Sequence, residues 1–179
     1  MAILNGLYRK GGIKMIKDNL VMEDVRLIFK NFSGEEGKFN RKGDRNFCVI
    51  IEDPSEAERL AEMGWNIKPL RPLEEGGEQR AYLQVAVSYK NIEPNIYMIT
   101  NKNKVRLSES TVGNLDSADI KTVDLIVSPY NWEVNGKSGV KAYCKTMYVT
   151  IDEDVFAGKY DFDHIDDPQF DDIEDIPFV

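Results

Sequence analysis

Thr122–Val134, TVDLIVSPYNWEV, runs into Asn135–Gly139, NGKSG, and then into Val140–Asp152, VKAYCKTMYVTID. Two runs rich in β-branched and aromatic residues joined by Asn-Gly predict two antiparallel strands and a tight turn. Asn and Gly accept the positive φ that such a turn demands. Residues two apart in a strand share a face. Val140, Ala142 and Cys144 thus form one side of the second strand, small and apolar as a barrel interior requires. Lys141, Tyr143 and Lys145 form the other side, and Tyr130 and Trp132 share a face of the first strand. Gly136-Lys137-Ser138 matches the end of a phosphate-binding loop, but Asn131 stands where that motif needs its first Gly. The tripeptide reads as part of the hairpin turn.

Upstream, Val25–Phe32 (VRLIFKNF) alternates Val25, Leu27 and Phe29 against Arg26, Ile28 and Lys30, which predicts a strand. A loop of Gly and charged residues, SGEEGKFNRKGD, leads to RNFCVIIED, whose Phe47, Val49 and Ile51 share a face. Together they predict a long hairpin with a basic tip. Asp53 then caps a short helix with Pro54 at its first position, Glu56 three residues after the cap, and Ala57, Leu60 and Ala61 on its apolar side. Gly64 ends it, and Pro69 and Pro72 keep the next segment extended. Ala81, Leu83, Val85 and Val87 alternate with Tyr82, Gln84, Ala86 and Ser88 as a third strand, with 95–100 as its partner. The polar stretch 102–119 reads as an irregular connection with one short helix. Successive short strands, one helix and no repeated βα unit predict a mostly-β, OB-type Greek-key barrel with extended hairpins, a β-sandwich being the alternative.

The chain has 179 residues and a net charge of −8, unevenly spread. Asp161, Asp163, Asp166, Asp167, Asp171, Asp172, Glu174 and Asp175 crowd the last nineteen positions, which hold no Lys or Arg. Without those eight, the remaining 23 acidic residues match the 23 Lys and Arg, so the body is neutral overall. This predicts three parts: a mobile basic arm over 1–18 (Arg9, Lys10, Lys14 and Lys17 around Gly11-Gly12), a barrel over 19–160, and a flexible acidic interaction tail over 161–179. No apolar stretch approaches the roughly 18 residues of a membrane span, and no signal-peptide core is present, so a cytoplasmic protein without membrane contact is expected. Cys48 and Cys144 read as reduced, buried thiols, and the lone His164 allows neither a zinc site nor a histidine-based triad. No catalytic residue, metal or cofactor is expected.

Aromatic and basic residues coincide in three places. Lys30, Phe32, Lys38, Phe39, Arg41, Lys42 and Arg45 crowd the first hairpin; Tyr130, Trp132, Lys141, Tyr143 and Lys145 form a stripe on the last; Trp65 stands near Lys68 and Arg71 after the helix. Ring faces for unstacked bases beside cations for phosphates suit a single-stranded nucleic acid. On this reading phosphates meet Lys30, Arg41, Lys42, Arg45, Lys141 and Lys145, while bases stack on Phe32, Phe39, Trp65, Tyr130, Trp132 and Tyr143. The competing reading tucks the Phe residues into the core, makes Trp65 a core anchor, and lays the Lys stems over cross-strand Tyr and Trp.

The final residues, Asp171-Asp172-Ile173-Glu174-Asp175-Ile176-Pro177-Phe178-Val179, resemble the tip of bacterial single-stranded DNA-binding proteins, an acidic run closing on Asp-Ile-Pro-Phe. The resemblance implies single-stranded DNA binding and protection in replication or recombination by an OB barrel. It also implies recruitment of replication or repair enzymes through Asp172, Glu174, Asp175, Ile176, Pro177 and Phe178. Bacteriophage proteins of this class similarly pair the barrel with an acidic tail ending in an aromatic residue. A phage structural or recruitment protein whose barrel binds protein stays open, as does a nuclease using carboxylates and Mg²⁺. Monomer and homo-oligomer both accord with the sequence.

Overall fold

Asn135 at φ 51° and Gly136 at φ 77° make the turn that the Asn-Gly pair predicts. It joins β10 (Ile120–Val134) to β11 (Lys137–Ile151), which pair antiparallel from Val134 opposite Lys137 to Ile120 opposite Ile151. The computed structural model describes residues 7–10 and 13–152. Val123, Leu125 and Val127 of β10, with Val140, Ala142, Cys144, Met147 and Val149 of β11, are buried on the inner face of this hairpin. Its register shifts twice: Lys121 is an extra residue between Ile120 and Thr122 at the end away from the turn, and in mid-ladder Ile126 faces Thr146 while Val127 faces Cys144, leaving Lys145 as the extra, exposed residue.

The remaining strands wrap around this hairpin. They are β3 (Leu20–Met22), β4 (Arg26–Asn31), β5 (Arg45–Ile51), β6 (Ile67–Leu70), β7 (Arg80–Val87), β8 (Asn95–Ile99) and β9 (Lys104–Leu107). The main path runs β3-β10-β11-β7-β5-β4, with β6 on β7 and β9 on β8. No ladder closes β4 against β3. The link from β3 to β4 instead bonds to β10, with Val25 N–H donating to the Val123 carbonyl at 2.9 Å and Asp24 N–H to the Asp124 carboxylate at 2.9 Å. A 3-10 turn, Val112–Asp116, holds the far end of β4: Asp116 accepts from Phe32 N–H at 2.7 Å and Ser33 N–H at 2.9 Å.

Strand 95–100 was expected beside the third strand. Instead β8 lies parallel to β11, Asn95–Ile99 against Thr146–Thr150, while β7 meets β11 earlier, at Ala142 and Tyr143. The two follow one another along a single edge of β11, and the loop after β7 lets the chain rejoin that edge beyond the Lys145 bulge. The stretch 102–119 holds β9 as well as the short helical turn. Its Lys and Arg positions hide the strand, since β9 is exposed at all but Leu107.

The helix α1 (Pro54–Met63) forms between the expected signals. The Asp53 carboxylate accepts from the Ser55 hydroxyl at 2.7 Å and from Ser55 N–H at 2.9 Å, and these hydrogen bonds, the hydroxyl's first, hold its carboxyl below the usual carboxylate range. Gly64 at φ 113° lets its own N–H and that of Trp65 return to the Ala61 and Leu60 carbonyls. Leu60 and Trp65 enter the core. Ala61, expected on the apolar side, is exposed, and Glu56 pairs with Arg59 instead of reaching back to the cap.

The stretch expected as a basic arm contributes two strands to the described residues. Leu7–Lys10 (β1) and Ile13–Ile16 (β2) form an antiparallel hairpin, and the Asn131 side chain bonds both the N–H of Ile16 at 2.9 Å and its carbonyl at 2.7 Å. An amide side chain here does what a backbone group would do in a ladder.

Three aromatic residues depart from expectation. Alternation puts Phe29 on the face of Val25 and Leu27, but the register slips between Ile28 and Asn31. At φ 50° Phe29 turns outward, 66% exposed, edge-on to Tyr82. Phe32 is fully buried and stacked on Phe47 with ring centres 5.2 Å apart, and Trp65 is 3% exposed among core residues. Neither can offer a ring face to a ligand. Phe32→Ala should therefore cost about 3–5 kcal/mol of unfolding free energy in a urea titration; a loss under about 1 kcal/mol would contradict its core position.

Candidate nucleic-acid interface

On the outer face of the β10–β11 hairpin the expected stripe is assembled. The Tyr130 and Tyr143 rings meet edge to face, with centres 6.1 Å apart and planes at 90°, and the Lys141 ammonium lies 5.1 Å from the Tyr143 ring centre. Trp132, 39% exposed, lies over Gly139 on the opposite strand. A Cβ at Gly139 would come within 2.8 Å of the indole, so glycine there lets the ring settle flat on the hairpin. Tyr130, Trp132, Lys141 and Tyr143 thus form one continuous surface of ring and cation.

Trp132, Lys141 and Tyr143 of this surface form one wall of an open cleft of about 620 Å³, and Tyr130 stands beside it against Tyr143. The opposite wall is the loop between β4 and β5, where Phe39 is 92% exposed and the Lys38 ammonium lies 5.3 Å from its ring centre. Asn40 organises this loop. Its amide donates to the carbonyls of Glu35, Arg41 and Asp44 at 2.7–3.0 Å, and its oxygen accepts from Asn46 at 2.6 Å. Arg41 and Lys42 stand exposed between the lining residues Asn40 and Gly43.

Arg45 reaches the cleft already engaged. Its guanidinium pairs with Glu109 at 3.3 Å and lies 5.8 Å from the Tyr89 ring centre, with most of the side chain covered. Burial pushes the Tyr89 hydroxyl up to about 12, so it stays protonated. Lys30 is farther off, donating to the Leu115 carbonyl at 3.1 Å beside the 3-10 turn, and Lys145 stands at the bulge beyond the cleft lining. Phe32 and Trp65 belong to the core. Asp172, Glu174, Asp175, Ile176, Pro177 and Phe178 lie outside the described residues.

Tyr89 and Lys90, which also line the cleft, were not singled out from sequence. Their adjacency carried the aromatic-basic signal used elsewhere, but it sits at the end of an otherwise apolar strand. The thiols are buried as expected. Burial raises Cys48 to about 11 and Cys144 to about 12, which keeps both protonated and poor nucleophiles near neutral pH.

A family model described as "Putative phage ssDNA-binding domain" matches residues 11–176. Among solved structures, the chain is similar to the single-stranded DNA-binding protein from bacteriophage Enc34 in complex with ssDNA. That likeness has a TM-score of 0.52 at 9% identity, over 76% of this chain and 88% of that one. The C-terminal truncation of the same phage protein gives 0.51 at 10% identity, over 76% and 87% of the two chains. Another structure of that protein gives 0.51 at 9% identity, over 83% and 91%. At such identity the likeness is one of fold, and the fold is the mostly-β, OB-type architecture that the sequence predicts, with its sheet unsealed by a final ladder. No curated protein matches the chain.

Proposed function

The chain belongs to the phage single-stranded DNA-binding domain family, and from that premise we propose that it holds single-stranded DNA, without catalysis, in the cleft beside the β10–β11 hairpin. The observation that carries this reading is the convergence of Trp132, Lys141 and Tyr143 on one wall, with Tyr130 packed edge-on to Tyr143 beside them and Phe39 facing the same cleft. Exposed ring faces take unstacked bases, and Arg41, Lys42, Lys141 and Lys145 take phosphates. Arg45 joins them only if phosphate displaces Glu109.

In this proposal the protein protects strands during replication or recombination in the cytoplasm. The acidic tip, Asp172, Glu174 and Asp175 with Ile176, Pro177 and Phe178, docks on replication or repair enzymes. Ile176 and Phe178 are the apolar anchors, and the acids meet basic residues around the receiving pocket. Without DNA, the tail competes for the same cations that phosphate would occupy.

Titration with poly-dT at two salt concentrations tests the cleft, because Trp65 is buried and Trp132 reports on the ligand. We expect quenching that Trp132→Phe abolishes. With four cations engaged, log affinity should fall with log salt at a slope of about −3. Trp132→Ala should weaken binding about 5- to 150-fold. No quenching, or quenching that survives in Trp132→Phe, would contradict the cleft.

Removing residues 161–179 should tighten binding at low salt and leave it nearly unchanged at high salt, where the competing charges are screened. Weaker or equal binding at low salt would contradict competition by the tail.

A further inference from the structure

Past the Lys145 bulge, β11 returns to alternation: Met147 and Val149 are buried, and Tyr148 lies on the outer face with Lys141 and Tyr143. The parallel neighbour β8 sets Tyr97 directly beside it, and the two rings stack with centres 5.1 Å apart and planes 15° from parallel. From β9, Lys104 places its ammonium 4.4 Å from the Tyr97 ring centre and 5.0 Å from that of Tyr148. Arg106 is the cross-strand partner of Tyr97 and pairs with Glu93 at 3.6 Å, both side chains exposed. Asp124, opposite Tyr148 on β10, accepts from the N–H of Asp24.

A core role does not explain this cluster. Tyr97 and Tyr148 alternate with Ile96 and Met147, which fill the interior, so the rings project to the solvent side, where Lys104 lies exposed. Two rings hold the ammonium by cation–π attraction, so a phosphate would meet a cation already ordered. The pair lies outside the cleft, roughly 13 Å from Tyr143 by the four residues that separate their partners Ser128 and Asp124 on β10 at about 3.3 Å each, with Lys145 between them.

We propose that Tyr97, Tyr148 and Lys104 form a second station for the same strand, so that single-stranded DNA leaves the cleft along β11, crosses Lys145, and sets a phosphate on Lys104 with sugar and base against the tyrosine pair. This rests on the cleft reading above and extends it. It follows that affinity keeps rising with strand length after the cleft is full.

The test is the affinity of dT oligomers from about 3 to about 16 nucleotides for the full chain and for Lys104→Glu, Tyr148→Ala and Tyr148→Phe. Lys104→Glu should leave the shortest oligomers unaffected, make affinity level off at a shorter length, and weaken the longest by at least about fivefold. Tyr148→Phe should keep long-strand affinity, and Tyr148→Ala should lose it. If Tyr148→Ala fails to fold, Lys104→Glu decides, since that side chain is exposed. Unchanged long-strand affinity in Lys104→Glu, with cleft binding intact, would overturn the second station alone. Equal losses at every length would overturn it too, by placing Lys104 in the first site. If the unaltered protein binds no oligomer, the cleft reading itself fails.

Discussion

Side-chain alternation along the β10–β11 hairpin is the constraint on which the rest depends. Its inner residues, from Val123 to Val149, close the core, so its outer residues are committed to solvent. A one-residue slip would exchange the two sets and bury Lys141 while exposing Val140. The Asn135-Gly136 turn fixes the register, because both residues accept the positive φ that matches the twist of the strands. The Lys145 bulge absorbs one residue, after which Tyr148 rejoins the face carrying Tyr143. The scaffold and the candidate binding surface are thus two sides of one ladder.

What could be read from the sequence follows from this division. Local rules located the last hairpin, the capped helix and the third strand, and period-two spacing grouped Tyr130 with Trp132 on one face and set Lys141 and Tyr143 opposite the apolar face of their strand. They failed where the backbone leaves its period. A register shift at Phe29 turns its ring outward, away from the partly buried Val25 and Leu27, and nothing in the alternation of the three announces it. Phe32 and Trp65 lie near basic residues in sequence yet point inward, because proximity to Lys and Arg does not say which side of the sheet a ring occupies. Partners distant in sequence were equally hidden. The parallel pairing of β8 with β11 and the docking of Ile16 on Asn131 arise from tertiary packing, not from local propensity.

Charge is spread unevenly along the chain. The body balances its charges and can expose cations beside rings, while the last nineteen residues concentrate eight acids. Within the body the balance is local as well: Glu109 neutralises Arg45 at the edge of the cleft, whereas Lys141 rests over Tyr143. A cation already paired with a carboxylate gains less from phosphate than one held by a ring, since phosphate must first displace the carboxylate. This ranks Lys141 above Arg45 as a contact, although both are basic residues beside aromatic ones.

Photocrosslinking with an oligonucleotide carrying a halogenated uracil, followed by mapping of the adducts, tests the central claim most directly, because it reports which rings touch bases. The account predicts adducts on Trp132, Tyr130, Tyr143 and Phe39, with none on the buried Phe32 or Trp65. Adducts concentrated on Phe29 and Tyr82, away from the hairpin, would contradict it.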